Sequence, residues 1–160
     1  MENYGYVSAM RKYFQFSGRA SRKEFWMFTL IFMIGSILLS IVDAMVLGAA
    51  DGNGILSGLW SLAHFIPSIS VAVRRLHDIN RTGWWILSIL VPALAVGAAS
   101  GLMAAGLLPG SVVIIGIASV ALIAVVILML YFYCKRGDQG PNTYGADPYG
   151  MTNNAEAVFQ

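Results

Sequence analysis

The chain has 160 residues, of which 58% are hydrophobic and only 11% charged, whereas charged residues make up about a quarter of a soluble domain. That balance excludes an ordinary water-soluble globular fold, and a single cysteine, Cys134, excludes an internal disulfide. The net charge of +2 hides a strong bias, because every lysine and arginine falls in three clusters: Arg11, Lys12, Arg19, Arg22 and Lys23; Arg74, Arg75 and Arg81; Lys135 and Arg136.

At the amino-terminal end, Tyr4, Val7, Met10 and Phe14 recur at roughly helical spacing beside Arg11 and Lys12. Two readings fit: a short amphipathic helix lying on an anionic leaflet, or an ordinary positive-inside flank without special lipid specificity. The first twenty residues lack the apolar core of a cleavable signal, so the first span is expected to serve as a signal anchor. Ser21-Arg22-Lys23-Glu24 has the form of a capping box, Ser21 as N-cap and Glu24 three residues on, just before the apolar run.

Crossing roughly 30 Å of hydrocarbon takes about 20 helical residues. Four such spans are predicted, at residues 25–47, 54–73, 84–107 and 111–134. Leu108-Pro109-Gly110 supplies the turn between the last two. The reading is therefore an all-α, polytopic membrane domain over residues 1–148 with a flexible tail at 149–160. Neither loop opposite the basic clusters carries a cation, so both termini are predicted to be cytoplasmic. Arg74 and Arg75 are expected to close the second span and snorkel towards headgroups. Trp26, Trp84, Trp85, Tyr131 and Tyr133 lie near predicted helix ends, where amphipathic rings prefer the headgroup region.

Within the spans, Ser36, Ser40 and Asp43 share one face of the first helix, and Ser57, Ser61, His64 and Ser68 one face of the second. Antiparallel pairing brings Asp43 near Ser57, Ser40 near Ser61 and Ser36 near His64. Interhelical hydrogen bonding and a polar path for ions or protons are the two readings; the second makes the chain a small transporter or channel. Ala93, Gly97, Gly101 and Ala105 form a small-xxx-small ladder suited to close helix approach. No catalytic or metal template occurs, Cys134 reads as a buried apolar filler, and neither a cofactor nor a nucleic-acid partner is expected.

Chemistry concentrates in three segments: Phe16-Ser17-Gly18-Arg19-Ala20-Ser21-Arg22-Lys23-Glu24-Phe25-Trp26; Arg74-Arg75-Leu76-His77-Asp78 through Arg81 to Trp84-Trp85; and Gly137 to Pro148, with Asn142, Tyr144 and Asp147. Together they resemble the bacterial inner-membrane family known as domain of unknown function 805, the YhaH-like proteins. Ala146 and Thr82 depart mildly from residues common there. The resemblance implies a small multi-pass inner-membrane protein and brings no activity, cofactor or catalytic residue.

If the predicted topology holds, the three segments meet on one membrane face. Arg19, Arg22, Arg74, Arg75 and Arg81, with Glu24, Trp26, His77, Asp78, Trp84, Trp85, Asn142, Tyr144 and Asp147, form a candidate cytoplasmic-face site. It would bind anionic phospholipid headgroups or a protein partner, and a homo-oligomer is a further expectation. The plainer reading is that these charges tie the loop and tail to the end of the bundle. The overall expectation is a non-enzymatic scaffold or regulatory module.

Overall fold

A computed structural model describes residues 5–48, 54–107 and 111–150. Its helices run α1 (Tyr6–Arg11), α2 (Arg22–Leu47), α3 (Ile55–Asp78), a 3-10 segment (Gly83–Ile89), α4 (Leu90–Ala104) and α5 (Val112–Cys134). Four stretches are long and apolar enough to cross a membrane: Arg22–Val46, Ile55–Asp78, Gly83–Ala104 and Val112–Cys134. Most of their large apolar side chains face outward, as a lipid solvent requires, because lipid tails offer apolar residues what a protein core would. The predicted turn at 108–110, Tyr4 and the tail beyond Gly150 lie outside the described residues.

Helix α2 starts one turn earlier than its apolar run, where the Ser21 hydroxyl accepts the Glu24 N–H at 3.1 Å. The cap is as the sequence suggests. The Glu24 carboxylate, however, turns to Arg74.

Helix α3 passes the predicted boundary at Val73 and continues to Asp78. Arg74 and Arg75 do not snorkel; they are 1% and 0% exposed. Glu24 pairs with Arg74, and Asp78 with two main-chain carbonyls satisfies Arg75, so the helix had no need to end at its charges. It stops instead in a Schellman turn. Asn80 takes a left-handed φ of 56°, its N–H reaches the His77 carbonyl, and that of Arg81 reaches Leu76, both at 3.0 Å.

The third span opens as a 3-10 helix and becomes α-helical at Leu90. Pro92 falls in the first turn of α4, where a missing N–H costs least. Gly97 and Gly101 of the small-residue ladder have nothing within 4 Å of where a side chain would begin. In the single chain the ladder is open, and α4 buries Pro92 and Ala99 instead. Cys134 is exposed, correcting the buried filler reading; at the end of α5 it is Phe132 and Tyr133 that face the bundle, against Trp85 and Phe25.

Helix α1 corrects its predicted placement. It does not lie flat on a surface but packs between α2 and α3, burying Ala9 among Ala20, Phe25, Phe28 and Val71, with Tyr6 and Met10 against them. Val7 and Phe14 are 46% and 75% exposed. Two apolar faces were available on this short helix, and the one carrying a tyrosine hydroxyl won because His64 offers it a partner. Tyr6 Oη meets His64 Nε2 at 2.7 Å, about 21 Å of helix from the Asp78 end of α3. Burial pushes the Tyr6 hydroxyl above its usual range, which keeps it a donor. Pro67 lies inside α3 and cannot donate to the Ala63 carbonyl one turn back. The Tyr13 hydroxyl donates to that carbonyl instead, at 2.9 Å.

Candidate functional site

One carboxylate organises the basic end. Asp78, on the last turn of α3, accepts Arg19 Nε at 2.9 Å on one oxygen and Arg75 Nη1 on the other. All three residues have side chains at most 2% exposed. Two buried guanidiniums around one carboxylate leave donors that must find acceptors, and the main chain supplies them. Arg75 Nε donates to the Tyr133 carbonyl at 3.1 Å and its Nη2 to that of Lys135. Arg19 donates to the carbonyls of Gly140 at 2.6 Å and Asp138 at 2.5 Å. Arg75 thereby satisfies carbonyls that the end of α5 leaves unpaired, where the helix dipole also favours a cation.

The carboxyl-terminal segment is stitched to the same point. Asp138 N–H donates to the Asp78 carbonyl at 2.9 Å, and Asn142 Nδ2 to that of His77 at 2.9 Å. The His77 ring stacks on Tyr144, centroids 3.9 Å apart and planes 5° from parallel. Its Nδ1 lies 3.2 Å from the Gly18 carbonyl, which can only accept, so the proton sits on that nitrogen. Asp147 accepts the N–H groups of Gly140 and Tyr149 at 3.1 and 2.9 Å. Gly137 passes so close that a side chain there would occupy the position of the Asp78 carboxylate.

The other predicted residues sit around this centre. Arg74 Nη1 pairs with Glu24 at 2.6 Å, with Lys12 Nζ 3.9 Å from the second carboxylate oxygen. Arg74 Nε and Nη2 are buried without a protein partner. Arg81 lies over the rings of Trp85 and Phe132, at 5.7 and 5.6 Å. Trp84 is 77% exposed and lines an apolar groove with Phe16, Phe65, Leu87 and Leu90. Arg22 lies at the edge of this centre, on one cleft with Asp78 and Asp147, and donates at 3.4 Å to the Cys134 carbonyl; Trp26 lies beyond it along α2.

The intramembrane stripe divides into separate contacts. At the end opposite the arginines, buried Asp43 accepts the N–H groups of Leu56 and Ser57 at 3.1 and 2.8 Å and the Ser57 hydroxyl at 2.7 Å. It caps α3 from the neighbouring helix, because the N-cap residue, Gly54, has no side chain to do so. His64 Nδ1 meets the Trp60 carbonyl at 2.8 Å, so its Nε2 is the acceptor for Tyr6. The hydroxyls of Ser36, Ser61 and Ser68 donate to carbonyls of Phe32, Ser57 and Phe65 in their own helices. Ser40 lines a shallow lipid-facing groove with Ile37, Ile41 and Ala44.

Residues 13–146, which include all three segments that build this end, match the family described as "Protein of unknown function (DUF805)". The chain belongs to this family. Similar proteins include "Inner membrane protein YhaI" of Escherichia coli (strain K12), 34% identical over 143 residues, 89% of this chain and 93% of that one. "Inner membrane protein YhaH" of the same strain is 34% identical over 145 residues, 89% and 94% of the two chains. No solved structure matches. With four helices able to span a bilayer, this DUF805 member is a multi-pass inner-membrane protein. Arg19, Arg75, Asp78 and the tail segment that meets them fall inside the matched region.

Sequence reasoning placed the charged side chains at this end but missed their main-chain acceptors, Tyr133, Lys135, Asp138 and Gly140. It also missed Lys12, Tyr6, Tyr13 and Gly137. Only Gly137, abutting a run of charges, carried a signal that might have been read.

Proposed function

We propose that this DUF805 member is a non-enzymatic membrane scaffold or regulatory module whose basic end faces the cytoplasm and presents a rigid platform to anionic lipid headgroups. The observation that carries this reading is a division of labour among the arginines. Arg19, Arg74 and Arg75 are buried in ion pairs and are not available to a ligand. Arg22, Lys23 and Arg136 stay exposed at the same end. Arg19 and Arg75 fasten main-chain carbonyls between Tyr133 and Gly145 to the bundle, which holds Arg136, while Arg22 and Lys23 are held by α2. The exposed set therefore loses little freedom on meeting an anion. Each such cation contributes about 1 kcal/mol near an anionic leaflet. The orientation follows from the positive-inside bias. A transport path is less favoured, because Ser36, Ser61 and Ser68 return their hydroxyls to their own helices.

The test combines topology with lipid preference. A reporter fused after Gln160 should be cytoplasmic, and one inserted at Gly52 should be exposed on the other side. In nanodiscs of mixed phosphatidylglycerol and phosphatidylcholine, the protein should enrich the anionic lipid, with the preference weakened by 0.5 M salt, roughly a Debye length below 5 Å. An external carboxyl-terminal reporter, or no enrichment, overturns the proposal.

A further inference from the structure

We infer that the basic end holds a discrete site for one glycerophospholipid, its phosphate between Arg22 and Arg136 and one acyl chain along Trp26, Met27 and Leu30. This rests on the headgroup reading above and assigns it an address.

Two depressions meet at Arg22. The first is a cleft of about 800 Å³ whose walls include Arg22, Asp78, Arg136, Asp138, Asp147 and Tyr149. The second is a groove of about 560 Å³ lined by Arg22, Lys23, Trp26, Met27, Leu30 and Cys134. The cleft is polar and lies beyond the end of α5. The groove is mainly apolar and descends the lipid-facing side of α2, where Met27 and Leu30 are 39% and 52% exposed. A polar chamber joined to an apolar groove through one arginine fits a molecule with a charged head and a long tail. A soluble anion would leave the groove unused.

Charge selects the head. Three acidic groups line the cleft, Asp78, Asp138 and Asp147. Asp78 is paired with Arg19 and Arg75, and both oxygens of Asp147 accept backbone N–H groups. With Arg22 and Arg136 the four arginines outnumber the three carboxylates by one. Among the described residues Arg22 makes one hydrogen bond, long at 3.4 Å and to a neutral carbonyl, and it lines both the cleft and the groove. Guanidiniums match phosphate oxygens in pairs. Lys23 and the Trp26 ring at the mouth of the groove suit the glycerol level of the bilayer, where aromatic rings and long cations gather. The chemistry is that of a phosphodiester on a diacylglycerol, and the source is the surrounding membrane rather than free phosphate.

Native mass spectrometry of the full-length protein, purified from nanodiscs containing phosphatidylglycerol and phosphatidylcholine, reads the site directly. Wild type should retain one phosphatidylglycerol per chain. R22Q and R136Q should each lower that retention by about tenfold, the scale of one lost charge-assisted contact. Leu30→Trp should lower it similarly by filling the groove while leaving the charges in place, and it carries the test if an arginine variant fails to fold. Inorganic phosphate at millimolar concentration should not displace the lipid. Anionic lipid retained equally by wild type and all three variants overturns this site while sparing the general headgroup reading. Wild type retaining no anionic lipid overturns both. Displacement by phosphate overturns the acyl-chain assignment.

Discussion

The two ends of the bundle each bury a carboxylate, and they satisfy it in opposite ways. Asp43 is surrounded by the backbone and hydroxyl of the next helix, with no cation among its hydrogen-bond partners. Asp78 sits between two arginines, one from a preceding segment and one from its own helix. The first is a local device: it closes the hairpin of α2 and α3 using partners 13 and 14 residues away. The second ties together residues 59 apart, and through its arginines reaches carbonyls up to 126 residues away. One end holds two neighbours in register; the other holds the whole domain together. Yet both use the same accommodation, a glycine whose missing side chain makes room for the carboxylate, Gly54 for Asp43 and Gly137 for Asp78.

Several substitutions should break or sharpen that contrast. The largest effect is expected from Asp78→Ala, which leaves two buried guanidiniums without their counter-charge. A loss of about 3–5 kcal/mol should appear as a fall in the denaturant midpoint of the purified protein, accompanied by protease access to residues 135–150. Asp43→Ala should leave that tail protected; equal tail cleavage in both variants would erase the distinction between a local and a global fastener. Next come the glycines. Gly137→Ala should cost about 1–3 kcal/mol by pushing the segment off the carboxylate and should expose the tail, whereas Gly54→Ala should loosen only the α2–α3 hairpin. Smallest is Tyr13→Phe, which removes the donor to the carbonyl that Pro67 leaves unpaired. About 0.6 kcal/mol is expected, and a loss several times larger would mean that α1 is fastened mainly by this bond.

The sequence made the local end readable and the global end only partly so. Asp43 and Ser57 could be paired from helical period and antiparallel register, because both side chains carry their chemistry visibly. The Ser21 cap was equally plain. At the other end the charged residues announced themselves, and their convergence followed from topology. Their role did not, since half the acceptors are main-chain carbonyls at 133, 135, 138 and 140, and every residue type has one. Arg74 and Arg75 were misplaced for a related reason. Charge on a predicted span reads as a membrane boundary unless the buried counter-ions are known, and Glu24 and Asp78 are distant in sequence from one or both of their cations. Helix α1 offered two apolar faces, and only the position of His64 decides which one is covered.

The reach of the Asp78 network also bears on how the chain is made. A nascent protein enters the bilayer from its amino terminus, so Arg19, Arg75 and Asp78 are inserted long before residues 133–142 leave the ribosome. Until then both guanidiniums lack the carbonyls of Tyr133, Lys135, Asp138 and Gly140 that later receive them. The basic end must therefore stay open to headgroup water during translation and shut only when the final segment arrives. A transcript truncated just after Cys134 would yield four inserted helices with an unsealed end, a natural target for membrane quality control. Closure of the basic end waits on the end of α5 and the segment that follows it.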